Sequence, residues 1–324
     1  MKNRLIGKDI LRIEKLSKTE ITQIWNQAAE YERLYKTDRL PLLQVMKGLV
    51  LATVFAQPST RTRLSFESAM LRLGGQVISI ADSQTSSLAK GESFLDTGRV
   101  VGGTADSAGL ADVIVCRSAI PKSVDELARG SLAPVISGGQ GTDQHPTQAI
   151  LDGKTIIDER RRIQNLSFCF MGDLKNGRTV HSLLPLISKW PNNTVYLVSP
   201  EGLRMPKEIL AKYRSQVRMI ETSDVRKIIQ NCDVLYCTRV QKEYMTKEEQ
   251  RAAEREPYFV DMNLIEYANK QRAEKDRITI LHPLPRVDEL RIEPEKYKPL
   301  AIFRQAANGI WTRAAELALI TGRV

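Results

Sequence analysis

Short apolar runs rich in β-branched residues alternate with longer amphipathic stretches along almost the whole chain. The runs are Leu49–Phe55, Gln76–Ile80, Val113–Cys116 and Ala133–Ile136, then Ser167–Met171, Thr194–Val198, Val217–Ile220, Val234–Cys237, Tyr258–Asp261 and Ile278–Leu281. Each is bounded by Gly, Pro, Asp or Ser, as expected of strands buried on both faces. Helical stretches such as Lys18–Lys36, Arg61–Leu73, Pro146–Arg161 and Gly177–Lys189 lie between them. Parallel strands need crossover connections, and helices supply them on both faces of a sheet. The expected fold class is therefore α/β. At 324 residues the chain exceeds one ordinary core. Two doubly wound parallel-sheet domains are expected, one over residues 1–147 and one over 148–305. A final helix, Asn308–Thr321, lies in a segment 306–324 that is expected to pack back on the first domain. In this architecture ligands bind beyond the carboxyl ends of the strands, so the loops there are where chemistry is sought.

Several function classes drop out first. No run of about 18 uninterrupted apolar residues occurs, which argues against a membrane span. The basic start Met1–Lys8 lacks the apolar core of a signal peptide. Cys116, Cys169, Cys232 and Cys237 sit in apolar runs without CxxC pairing. They read as reduced core residues of a cytoplasmic protein, not as metal ligands or a disulfide framework. Formal net charge is +10, from 48 Lys and Arg against 38 Asp and Glu. Such a field suits a nucleic-acid surface or small anionic substrates. Zinc-ligand spacing, an RNP-like strand and a concentrated basic tail are all missing, so small anions are the expected partners and nucleic acid is not.

Phe55-Ala56-Gln57-Pro58-Ser59-Thr60-Arg61-Thr62-Arg63 joins a buried strand to a helix. With Ser59 as N-cap, the amides of Thr60, Arg61 and Thr62 open the helix, where dipole, hydroxyls and guanidinium favour phosphate. Solvent-facing arginines on a capped helix are the alternative; a P-loop is excluded because this segment holds no G-K-[ST]. Gln144-His145-Pro146-Thr147-Gln148, after a Gly-rich segment, puts His145 at a strand's carboxyl edge. Of the three histidines, His145 and His282 both precede Pro in loops after strands, which points both toward a site. Gly172-Asp173-Leu174-Lys175-Asn176-Gly177-Arg178 is again strand, loop and helix. It lacks G-x-G-x-x-G, which argues against a dinucleotide-dependent dehydrogenase. Arg178 at the helix start suits a carboxylate, and His181 reads as a structural partner. Arg239 and Gln241 follow the Asp233–Cys237 strand. The two prolines of His282-Pro283-Leu284-Pro285-Arg286 fix a turn whose carbonyls can accept from an amine or amide.

In this order the motifs resemble the aspartate/ornithine carbamoyltransferase superfamily, and within it the aspartate branch. They are S-T-R-T-R at Ser59–Arg63, S-x-x-x-K-G-E at Ser86–Glu92, H-P-T-Q at His145–Gln148, G-D-L-K-x-G-R-T-V-H-S at Gly172–Ser182, T-R-V-Q-K-E at Thr238–Glu243 and H-P-L-P-R-V-D-E at His282–Glu289. The ornithine branch would carry H-C-L-P and S-M-G segments instead. The resemblance implies transfer of a carbamoyl group from carbamoyl phosphate to L-aspartate, in pyrimidine biosynthesis, without metal or organic cofactor. It implies that Ser59, Thr60, Arg61 and Thr62 hold the phosphate. Thr62, Arg117 and His145 would polarise the carbonyl, and Gln148 with the Leu284 and Pro285 carbonyls would orient the carbamoyl NH2. Arg178, Arg239 and Gln241 would clamp the aspartate carboxylates. Ser86 and Lys90 resemble a loop donated by a neighbouring subunit, Lys90 touching both substrates, which implies a homotrimer with shared sites. A surface loop is the plainer reading of that segment. A separate regulatory chain is compatible with the resemblance.

The chain departs from the family pattern at Gln57, where the aspartate branch carries Glu, and at Tyr244, where it often carries Arg. The segment Gly98–Ala111 is longer and more Gly-rich than its counterpart. These departures leave room for a relative acting on another amine, and a scaffold without activity is a further alternative. The scaffold would be expected to lose phosphate or oxyanion residues, and Ser59–Thr62, Lys90, Arg117, His145 and Gln148 are all present.

Overall fold

The computed structural model describes residues 2–80, 87–241, 245–247, 250 and 258–324. Ser86, Lys242, Glu243 and Tyr244 lie outside the described residues. The chain divides into two compact units, Met1–Ile150 with Ala307–Val324, and Leu151–Ala306.

The first unit opens with helix α1 (Lys18–Thr37), started by a reciprocal cap. The Glu20 amide donates to Ser17 Oγ, and the Ser17 amide donates back to the Glu20 carboxylate. A short turn α2 (Leu42–Val45) leads into strand β1 (Val50–Phe55), whose run of Leu51 to Phe55 is fully buried. Helix α3 (Thr60–Arg72), strand β2 (Gln76–Ile80), helix α4 (Phe94–Gly102), strand β3 (Val113–Ser118), helix α5 (Ser123–Gly130) and strand β4 (Val135–Gln140) follow in strict alternation. The strands form one parallel sheet in the order β2-β1-β3-β4. Helix α6 (Pro146–Arg160) carries the chain across the unit boundary.

The second unit holds strand β5 (Ser167–Met171), helix α7 (Arg178–Ile187), strand β6 (Thr194–Val198), helix α8 (Lys207–Tyr213) and strands β7 (Arg218–Thr222), β8 (Val234–Cys237) and β9 (Thr279–Leu281). They make a second parallel sheet in the order β7-β6-β5-β8-β9. The C-terminal helix Ile302–Ile320 lies mostly in the first unit, where Trp311 meets Tyr35 of α1 at 4.9 Å between rings. The expected α/β class with two parallel-sheet domains is what the chain adopts.

Four local expectations need correction. Tyr258–Asp261 is not a strand: Val260 makes a single bridge to Leu290, and Asp261 instead caps the helix Met262–Asn269 by accepting the Leu264 amide. Strands β2 and β7, each at one edge of its sheet, are not buried on both faces, and Ile78 of β2 is 42% exposed, whereas the opposite edges β4 and β9 are buried. Strand β4 runs through Gly138 and Gly139 to Gln140, so the Gly-rich segment is itself paired backbone. The last helix begins at Ile302, six residues before the expected Asn308.

The cysteines are free and buried, and burial pushes the Cys116 thiol up to about 12. Among the described residues, no helix is long and apolar enough to cross a membrane.

Candidate functional site

In the first sheet the chain passes from β1 to β2 on one side and then returns to place β3 on the other. Such a reversal splays the loops apart beyond the carboxyl ends of β1 and β3 and opens a ligand crevice. Of the sequence-predicted residues of this unit, Ser59–Thr62 follow β1 and Arg117 stands near the end of β3. Ser59 is the N-cap of α3 in extended conformation, but its hydroxyl makes no capping bond, and no acidic residue occupies the first turn. The amides of Thr60, Arg61 and Thr62 therefore open a helix with an uncompensated positive end, which suits an anion. Arg61 and Thr60 are exposed, Ser59 is half-buried, and Thr62 turns inward at 6% exposure.

Thr62 Oγ1 lies 3.3 Å from His145 Nε2, joining the start of α3 to the loop after β4. Arg117 stands near the end of β3 and donates from Nη1 to the Gly138 carbonyl at 3.1 Å. Gly139, at φ +113°, sits between these groups. A Cβ there would lie 3.3 Å from the His145 ring and 3.4 Å from Arg117 Nη1. Three buried polar groups, one in α3, one in β3 and one in the loop after β4, are thus neighbours around Gly139. Gln148 lies half-buried in the first turn of α6, its amide donating to the His145 carbonyl. Lys90 is exposed at the end of the turn Ser87–Lys90.

The second sheet reverses between β5 and β8, and the loops after these strands again carry predicted residues. Gly172, at φ +118°, follows β5 where a Cβ would stand 2.2 Å from the Thr238 carbonyl oxygen. Only glycine admits so close a crossing of the two loops. Asp173, fully buried, ties them: its carboxylate accepts the Asn176 amide at 2.9 Å and the Gln241 amide at 3.1 Å. Burial raises the Asp173 carboxyl above its ordinary value, and those two amides oppose the rise. Gln241 Nε2 donates to the Asn176 carbonyl at 2.7 Å, and the Arg178 amide donates to that same carbonyl at 2.9 Å. Arg178, the first residue of α7, is so brought beside Gln241, with one end of the Gln241 amide already engaged. Arg239 is half-buried in the same loop.

His282 departs from the expectation drawn from its neighbouring proline. Its Nδ1 accepts the Leu284 amide at 2.8 Å, so the proton belongs on Nε2, which faces Glu289 Oε1 at 2.8 Å. That approach is a short polar contact and not an aligned hydrogen bond. Burial alone would raise the Glu289 carboxyl, yet the His282 ring and the Val287 amide hold it below its ordinary range. The ring is a brace for its own loop, in which Leu284 has φ +55° and the Leu284–Pro285 bond is cis. His181 is likewise structural, meeting the Leu174 carbonyl at 2.9 Å.

Among the described residues, no group of three His, Cys, Asp or Glu side chains is arranged to hold a metal ion.

The carbamoyl-P binding domain of the aspartate/ornithine carbamoyltransferases matches residues 8–158, and their Asp/Orn binding domain matches residues 164–320. The chain belongs to the aspartate/ornithine carbamoyltransferase family. Among its relatives is the aspartate carbamoyltransferase catalytic subunit of Methanocaldococcus jannaschii, 39% identical over 96% of each chain. A crystal structure of the M. jannaschii catalytic subunit superposes with a TM-score of 0.83 at 40% identity, covering 96% of this chain and 97% of that one. Aspartate transcarbamoylase from Trypanosoma cruzi, solved with carbamoyl phosphate and aspartate, gives a TM-score of 0.87 at 32% identity over 98% of both chains.

In this carbamoyltransferase chain the Thr62–Arg117–His145 cluster falls inside the carbamoyl-P domain match, and Arg178, Arg239 and Gln241 fall inside the Asp/Orn domain match. Sequence reasoning passed over Asp173 as the tie between the two loops. The available signal was an Asp after a strand with Asn three residues on, the pattern of a side chain closing a turn on backbone amides.

Proposed function

We infer that the chain catalyses transfer of the carbamoyl group of carbamoyl phosphate to the amine of L-aspartate, giving N-carbamoyl-L-aspartate and phosphate. The observation that carries this reading is the convergence of Thr62, Arg117 and His145 beside the open N-terminus of α3. A phosphate and a carbonyl oxygen are the two groups such neighbours serve. The relative from Trypanosoma cruzi, solved with both substrates, supports the same assignment.

In this reading Ser59, Thr60, Arg61 and Thr62 hold the phosphate, while Arg178, Arg239 and Gln241 take the two carboxylates of aspartate. The lone pair of the neutral amine attacks the carbonyl carbon and forms the C–N bond. The carbonyl oxygen becomes an oxyanion, stabilised by Thr62, Arg117 and His145. Collapse breaks the bond to the phosphate oxygen, and the proton shed by the amine leaves on the departing phosphate. Gln148 and the Leu284 and Pro285 carbonyls receive the carbamoyl NH2. Positioning and fixed dipoles supply the rate. Ser86 and Lys90 are assigned to a neighbouring copy's site, which makes a cytoplasmic homotrimer the working assembly, in pyrimidine biosynthesis.

N-(Phosphonacetyl)-L-aspartate, a compound bound by the Trypanosoma cruzi relative, joins a phosphonate to aspartate and so carries the groups assigned to each residue set. In calorimetric titration the folded protein is expected to bind it. Arg61→Leu and Arg178→Leu should each weaken binding by roughly 10- to 100-fold, the worth of a hydrogen bond to a charged group. No binding by the unaltered protein, or binding indifferent to both substitutions, would sink the assignment.

A further inference from the structure

Asp152 lies in α6 with 0% of its surface exposed, in a unit where apolar side chains fill the core, and both of its oxygens accept hydrogen bonds. Oδ2 accepts the Tyr236 hydroxyl at 2.7 Å, and Oδ1 accepts the Gln305 side-chain amide at 2.6 Å. A buried carboxylate costs stability unless donors meet it, and an apolar residue would fill the same space without that demand. What the carboxylate achieves is visible one bond further out.

Tyr236, in β8, is itself fully buried, and its phenolic oxygen accepts from the hydroxyl of Thr179. Thr179 is the second residue of α7, next to Arg178. On the other branch, Gln305 Oε1 accepts the backbone amide of His282 at 2.9 Å. His282 opens the loop that carries the Leu284 and Pro285 carbonyls, and its ring braces the Leu284 amide. One buried side chain is thus two bonds away from both loops assigned above, the helix start that grips the acceptor and the turn that receives the carbamoyl NH2.

We propose that Asp152 is a positioning residue that holds the Arg178 helix start and the Leu284–Pro285 turn in one register through Tyr236–Thr179 and Gln305–His282. The proposal rests on the carbamoyl-transfer reading, because the tasks of Arg178 and Leu284 come from it. The two branches end on different tasks, so cutting them has different kinetic signatures. Tyr236→Phe removes one oxygen and loosens the helix start, and it raises KM for aspartate by about tenfold with little change in kcat. Gln305→Met frees the turn and lowers kcat by about tenfold with a smaller effect on that KM. Asp152→Asn breaks the junction and shows both changes together.

The test is steady-state carbamoyl transfer by the assembled full-length protein and these variants, with melting temperature measured alongside. A split of KM from kcat between the two branch variants supports the proposal, and should Asp152→Asn fail to fold, that pair alone decides. Variants that lower only the melting temperature, or lower activity without the split, overturn the proposal while leaving carbamoyl transfer standing. Absence of turnover in the unaltered protein removes the functional reading and this proposal with it.

Discussion

Glu316, in the C-terminal helix, is fully buried, and neither oxygen has a hydrogen-bond partner among the described residues. Burial pushes its carboxyl from 4.5 up to about 8, with Arg313 one turn earlier pulling partly the other way. The folded state therefore favours the protonated acid, whereas the unfolded chain ionises first. The stability this contributes is fully present below about pH 4.5 and is lost as pH rises toward about 8. Between pH 4.5 and 7 the loss is about 3 kcal/mol, from roughly 1.4 kcal/mol per unit. Glu316→Gln, neutral throughout, should melt within a degree or so of the unaltered protein at pH 5 and roughly 5 °C above it at pH 8. An equal difference at both pH values would show that Glu316 is not held protonated by burial. No sequence pattern announces this residue, since a Glu in an amphipathic helix reads as surface. His145 and His282 teach the same lesson from the opposite side. Both precede proline after a strand, yet one faces Thr62 and Arg117 across Gly139 while the other is engaged by Leu284 and Glu289. Sequence spacing marks the loop, but only the fold decides which way the ring turns.

At the level of elements, the central strands were legible because burial on both sides demands an uninterrupted apolar run, and β1 and β5 carry one. Edge strands and caps were harder. Tyr258–Asp261 has strand-like residues, but Asp261 ends the run by capping a helix. Within the Gly-rich segment Gly98–Ala111, Gly98 sits at a helix crossing. Helices α4 and α5 cross so closely that a Cβ at Gly98 would lie 2.2 Å from the Leu127 carbonyl oxygen, and one at Gly130 would lie 2.1 Å from that of Leu95. Backbone cannot yield as a flexible side-chain tip does, so the helices would have to separate. Gly98→Ala should cost about 1–3 kcal/mol and lower the melting temperature by roughly 2–5 °C. A melting temperature unchanged within a degree would mean the crossing relaxes freely and the glycine is dispensable.

At the scale of the molecule, each of the two sheets reverses its winding once, and at each reversal the loops carry the polar residues that the sequence motifs single out. The amino-acid sequence disclosed these loops because their chemistry needs particular residue types at strand ends. It did not disclose Asp152, Asp173 or Tyr236, whose work is to hold those loops from behind and whose side chains look unremarkable in a list of letters. The net charge of +10 accords with two anionic substrates. The departures at Gln57 and Tyr244 pose the question of the acceptor, and a direct assay answers it. Purified protein is given carbamoyl phosphate with L-aspartate, L-ornithine or a panel of other amino acids, and both the ureido product and released phosphate are followed. Selective turnover with L-aspartate, with phosphate equimolar to N-carbamoyl-L-aspartate, is the predicted result. Turnover with a different amine alone, or none with any, would contradict the account.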